Sequence, residues 1–91
     1  MRKAMDFDLW LDWFIVDNKL NIQEVLLEEI IDGQPYKVKM VDFLNKVRKL
    51  NHLTQQKVKD DMCRELYSGG KVSKALKEDC RELISSGKLL L

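Results

Sequence analysis

Glu28 to Met40 reads EEIIDGQPYKVKM, and two folds compete for it. Read as the end of one helix and the start of another, Gly33 is a C-cap. Pro35 then sits in the first turn of the next helix, where its missing N–H costs nothing. Read as a β-hairpin, Asp32-Gly33 is the turn, and Tyr36, Val38 and Met40 alternate with lysines along the second strand. The choice decides whether the chain is all-α.

The flanks favour helices. Upstream, NIQEVLLEEIIDG opens with Asn21 as an N-cap and carries Glu24 three residues later, a capping-box arrangement, and Ile22, Val25, Leu26 and Ile30 give an inward stripe. Downstream, in PYKVKMVDFLNKVRKL, Tyr36, Met40, Phe43, Val47 and Leu50 recur at spacings of 4, 3, 4 and 3, the seam of a helix packed on another. Lys46, Arg48 and Lys49 fall in its last turn, where cations suit the helix dipole. Asn51 to Leu53 reads as a short break, with Thr54 the next N-cap. The fold class expected is therefore all-α: one domain over residues 1–91, a compact bundle of four to five short helices. A hairpin over residues 25–41 remains the competing reading.

The last two helices come from a repeat. Residues 54–70, TQQKVKDDMCRELYSGG, align without gaps on residues 71–87, KVSKALKEDCRELISSG, so a helical hairpin built from a 17-residue duplication is predicted. Within each copy, Cys63 with Leu66 and Tyr67, and Cys80 with Leu83 and Ile84, lie at i, i+3 and i+4 and are expected to point inward, with Arg-Glu outward. Ser-Gly-Gly and Ser-Ser-Gly then stop the helices. The Gly-Lys pairs do not make a phosphate loop, because Glu65 and Glu82 stand where it needs glycine, and Val72 and Leu89 where it needs Ser or Thr.

The first helical stretch, MDFDLWLDWFIVDNKL, is apolar around most of its circumference, with Asp6 and Asp8 at its first turn. Two tryptophans and two phenylalanines within eight residues exceed what one face of a small domain buries. Phe7, Trp10, Trp13 and Phe14 are therefore the candidate partner-binding residues, with a protein partner or a second copy of the chain as the simplest occupant.

Composition narrows the function classes. The 91 residues carry 45% hydrophobic and 34% charged side chains, as a compact soluble domain does. No apolar run is long enough to span a bilayer, and the opening MRKAMDFDLW lacks the apolar core of a secretory leader, so a cytoplasmic protein without a membrane partner is expected. Cys63, Cys80 and the single His52 make three soft or nitrogen donors, one fewer than a structural zinc site needs, and no base neighbours either thiol in sequence. Neither metal, cofactor nor enzymatic activity is expected. Charge is uneven: residues 1–35 hold eight acids and three bases, residues 36–91 thirteen bases and seven acids. The halves either attract each other, within or between chains, or present a basic face to an acidic partner.

A nucleic-acid reading competes with protein binding. On a helix running from Ser73, Lys74, Lys77 and Arg81 share one arc, joined by Lys71, while Val72, Leu76, Cys80 and Leu83 take the other side. Residues 53–91 resemble a helix-turn-helix whose second helix leads to a winged-helix strand at KLLL, which implies DNA binding by the helix at residues 73–86. The linker YSGG departs from that family's tight turn, and Glu78 and Glu82 flank the basic arc. The function expected is a non-enzymatic regulatory or adaptor protein of the size phages and mobile elements encode, self-associating through its Trp-rich first helix. DNA binding is the alternative.

Overall fold

The computed structural model describes residues 6–90. Residues 1–5, half of the stretch compared with a leader, and Leu91, the end of KLLL, lie outside the described residues. The order is helix α1 (Phe7–Asp17), strands β1 (Val25–Ile31) and β2 (Gln34–Lys39), then α2 (Met40–Val47), α3 (His52–Tyr67) and α4 (Val72–Ser85). The all-α expectation is therefore wrong: the described residues form a small mixed α/β fold of four helices and a two-stranded antiparallel sheet.

The turn explains the error. Asp32 and Gly33 both adopt positive φ, 50° and 81°, which is the geometry of a two-residue type I′ turn. Ile31 then pairs with Gln34, Glu29 with Tyr36 and Leu27 with Val38. Burial follows period 2: Leu27, Ile31 and Val38 are covered, while Val25 and Ile30, members of the predicted helical stripe, stay exposed at 38% and 73%. A bulge at Leu26 breaks the alternation and buries two consecutive leucines. Pro35 sits in an edge strand, where its missing donor is tolerated.

The cap signals were real but belonged to other structures. The Asn21 side chain accepts from the Gln23 N–H at 3.2 Å in an Asx turn, rather than starting a helix. The seam residues Met40, Phe43 and Val47 are buried on α2, but Tyr36 belongs to β2 and Leu50 follows the helix. α2 has no side-chain cap; the Glu24 and Ile22 carbonyls accept from the Met40 and Val41 N–H groups, both at 2.8 Å, so the strand's entry loop satisfies the helix's first donors. At α3 the cap is Asn51, whose Oδ1 accepts from Thr54 N at 2.8 Å, three residues before the predicted Thr54.

α3 and α4 form the expected helical hairpin. Lys57 reaches Asp79 and Glu82, one turn later Asp61 lies beside Asp79, and so the helices run antiparallel. α4 is the centre of the fold, packed on β1, α3 and α2, and it buries Val72, Ala75, Leu76, Asp79, Cys80, Leu83 and Ile84. α3 lies outside it and fully covers only Val58 and Met62. The two copies of the repeat therefore differ: Leu83 and Ile84 are buried, whereas Leu66 and Tyr67 are 41% and 93% exposed. The expectation that both sets point inward holds for the whole of the second set and, in the first, for half-buried Cys63 alone.

Both copies end in the same cap, shifted by one position. Gly69 (φ 80°) donates to the Leu66 carbonyl and Gly70 to that of Glu65; Gly87 (φ 76°) donates to Ile84 and Lys88 to Leu83. Gly69 aligns with Ser86, and Gly70 with Gly87. The left-handed position falls on the first glycine of SGG and on the only glycine of SSG.

Candidate partner-binding surface

α1 starts after Asp6 because that residue is extended (φ −61°, ψ 144°) and leaves the first turn to Asp8, an acid placed against the positive end of the helix dipole. Its aromatic quartet divides between two sides. Trp10 and Phe14 are buried with ring centroids 4.8 Å apart, and Phe7 packs half-buried on Trp10 at 5.9 Å. Lys59 of α3 places its ammonium 5.1 Å above the Trp10 ring. These three are core residues that fix α1 to the body. Of the predicted partner-binding residues only Trp13 is presented to solvent, 54% exposed.

Trp13 has companions that the composition argument passed over. Leu9 and Val16, four residues before it and three after, are 64% and 76% exposed and complete an apolar stripe along the outer side of α1. At about 100° per residue, Asp12 borders the stripe on one side and Asp6 and Asp17 border it on the other. Asp12 is also held: Arg48 donates to its Oδ1 at 2.6 Å and to Asp8 Oδ1 at 3.2 Å.

Beside the stripe, α1 and α2 enclose an apolar groove of about 380 Å³ lined by Ile15, Val16, Ile22, Val41 and Leu44, with Asn45 on its rim. Asn45 also lines a second groove, about 320 Å³, between β2 and α2, where Lys37, Lys46 and Lys49, with one acid, Asp42, stand around Val38. Val16 brings the stripe to the first groove, and Asn45 joins that groove to the second across one turn of α2. The fold brings Asp12 and these bases to adjoining grooves, an arrangement no single stretch of sequence displays.

The charge asymmetry is partly spent inside the chain. Arg48 to Asp8 and Asp12, and Arg81 to Glu29, each join the acidic N-terminal part to the basic remainder. Arg81 therefore differs from the other predicted nucleic-acid residues. Its Nε and Nη2 donate to both Glu29 oxygens at 2.6 and 3.0 Å, so it ties α4 to β1. Lys71, Lys74 and Lys77 are exposed, with no ion pair among the described residues. Exposed Glu78 and Glu82 interrupt that arc, and residues 86–90 form no strand, so the wing expected at KLLL is not formed there.

Sequence reading also missed a polar cluster between α3 and α4. Asp79 is 5% exposed, and its carboxyl lies beside that of Asp61. Lys57 serves both, at 3.0 Å to Asp79 and 3.1 Å to Asp61, with Glu82 at 3.6 Å, and Arg64 holds Asp61 from the outside at 3.0 Å. Burial, then the neighbouring Asp61 carboxylate, push Asp79 up to about 7, while against its own burial the hydrogen bond from Asp79, then Lys57 and Arg64, hold Asp61 below its ordinary value. Asp79 Oδ2 is buried without a hydrogen-bond partner, and a proton retained between it and Asp61 would supply one. Spacing gave no warning, because residues 61 and 79 occupy different helices and become neighbours only when the hairpin closes.

The thiols are structural in character. Burial pushes the Cys80 thiol up to about 11 and also raises that of half-buried Cys63, the reverse of an activated nucleophile. Among the described residues no group of three or more His, Cys, Asp or Glu is placed to hold a metal ion, and no helix is long and apolar enough to cross a membrane. Comparison of the chain with protein-family models, with curated proteins and with solved structures returns no match.

Proposed function

We propose that this protein is a non-enzymatic protein-binding module that self-associates, with the outer side of α1 as its contact surface. One observation carries the reading: α1 is anchored by Trp10 and Phe14 and still holds Trp13, Leu9 and Val16 in solvent. Exposed aromatic and aliphatic side chains on a rigid helix are what interface hot spots are made of, since their ordering is already complete before binding. A small domain also gains stability by covering such area in an assembly. The two free thiols suit the reducing cytoplasm expected for such a factor.

The alternative, DNA binding through α4, is favoured by exposed Lys71, Lys74 and Lys77. It loses Arg81 to Glu29, and carboxylates interleave its lysines.

Sedimentation equilibrium of the wild type, of Trp13→Ala with Leu9→Ser, and of Lys74→Glu with Lys77→Glu decides between them. Concentration-dependent association lost in the α1 variant and kept in the α4 variant is the expected result. A wild type that stays monomeric while shifting a DNA duplex at low salt, with the shift abolished in the lysine variant, would overturn it.

A further inference from the structure

The surface around Asn45 carries opposite charges on its two sides. On one side the exposed stripe Leu9, Trp13 and Val16 is bordered by Asp6 and Asp17, neither of which forms an ion pair among the described residues. On the other side Lys46 and Lys49 are likewise unpaired among those residues, and Lys37 has only a distant, solvent-exposed partner, Glu28, at 3.9 Å. Val16 and Asp12 line the first groove and Asn45 belongs to both, so the stripe reaches the lysine side across the Asp12–Arg48 pair, with Asp6 and Asp17 on its outer edge.

Two α1 helices packed face to face would set acid against acid, because α1 contains no base. A surface that is acidic and apolar on one side of its centre and basic on the other is complementary to itself under a two-fold rotation. Resting on the self-association reading above, we infer that two copies dock reciprocally about an axis near Asn45. The acid-bordered stripe of α1 in each lies against the lysine-lined groove between β2 and α2 of the other.

The occupant is a second copy rather than an unrelated chain because both halves of the contact are present on one molecule in matching chemistry. Each α1 offers Trp13 and Leu9 as apolar anchors with carboxylates at the rim. Each groove offers Val38 at its floor, with three lysines outnumbering one acid, Asp42, around it. Closed two-fold pairing uses both sets once and ends at a dimer.

Charge exchange tests the arrangement. One variant is Asp6→Asn with Asp17→Lys; the Asp6 side chain makes no cap hydrogen bond, so the helix start loses none. The other is Lys46→Glu with Lys49→Glu. Circular dichroism checks that each folds, and sedimentation equilibrium at about 50 mM salt measures association. Each variant alone should self-associate at least about tenfold more weakly than the wild type, and an equimolar mixture should regain wild-type affinity, since each mixed contact again joins acid to base. A mixture no tighter than either variant alone overturns the reciprocal arrangement. So does a dimer that ignores both charge changes yet is lost on Trp13→Ala, an outcome that leaves the self-association reading standing. A wild type monomeric at every concentration overturns both.

Discussion

Arg81 of α4 holds Glu29 of β1 through two parallel hydrogen bonds, 2.6 Å from Nε and 3.0 Å from Nη2, across 52 positions of sequence. Glu29 lies on the inner strand face with Leu27 and Ile31, so the pair marks where the hairpin meets the central helix. Its hydrogen bond to Arg81 holds the Glu29 carboxyl below its ordinary value of 4.5. Such a group adds stability above its unfolded pKa and loses it as pH falls through the folded one. Arg81→Lys, which cannot reproduce the fork, and Glu29→Gln should each lower the thermal midpoint at pH 7. The difference between Glu29→Gln and wild type should close as pH falls below about 4.5. A double variant whose loss equals the sum of the two single losses would show that the pair is not coupled.

Asp79, beside Asp61, has the opposite sign. Asp79 titrates near 7 in the fold and near its ordinary 3.8 unfolded, so the folded state binds the extra proton. This contribution is complete below about pH 4 and fades as pH rises through 7. Lys57 faces the same carboxyl and also reaches Glu82, with Arg64 behind Asp61. Asp79→Asn supplies a permanent donor to Asp61 in place of the proton. Thermal unfolding from pH 5 to pH 8 should show the variant gaining steadily on the wild type. A constant difference across the range would remove the shared proton from the account.

The turn makes a backbone prediction. Gly33 has φ 81° and nothing within 4 Å of where a Cβ would sit, so a side chain there is opposed by its own backbone and not by neighbours. Gly33→Ala should cost about 1–2 kcal/mol, the left-handed penalty for a residue with a Cβ. Asp32→Gly, at φ 50°, should be near neutral or stabilising. Urea midpoints with an unchanged m-value would report this; equal losses at both positions would contradict a type I′ turn.

Residues 28–40 show what the sequence could and could not settle. Asp-Gly followed by alternating Tyr36, Lys37, Val38 and Lys39 was a hairpin signal in plain view, outweighed by a capping-box pattern and a heptad seam. Both competing signals came from real features put to other uses: Asn21 in an Asx turn, and Met40, Phe43 and Val47 on a helix that begins only at Met40. Short apolar runs are ambiguous between periods 2 and 3.6, and tertiary burial decides them. α1, α4 and the glycine stops were legible because their patterns are local. The Arg81–Glu29 fork, the Asp61–Asp79 pair and the surface around Asn45 were not, because each joins elements far apart in the chain.

α1 gives a paired prediction on neighbouring turns. Trp10 is buried against Phe7, Phe14 and Lys59, and Trp10→Ala should cost about 3–5 kcal/mol. Trp13→Ala, on the solvent side, should change the stability of a dilute monomer by no more than about 0.5 kcal/mol while weakening self-association. Chemical denaturation at low protein concentration separates the two effects. Comparable losses at both positions would place Trp13 in the core and remove the outer stripe as a contact surface.

The repeated CREL phrase supplies the remaining test, since identical side chains meet different surroundings. In the second copy Leu83 is 8% exposed on a helix enclosed by β1, α2 and α3; in the first, Leu66 is 41% exposed on the outermost helix. Leu83→Ala removes buried methyl groups and leaves a cavity, a loss of about 2–5 kcal/mol. Leu66→Ala removes surface that water already reaches and should cost about 0.5 kcal/mol. If the phrase were a structural unit used twice in equivalent positions, the two substitutions would cost the same. Unequal costs mean that the duplicated helices have been assigned separate tasks, one as the centre of the core and one as its outer wall.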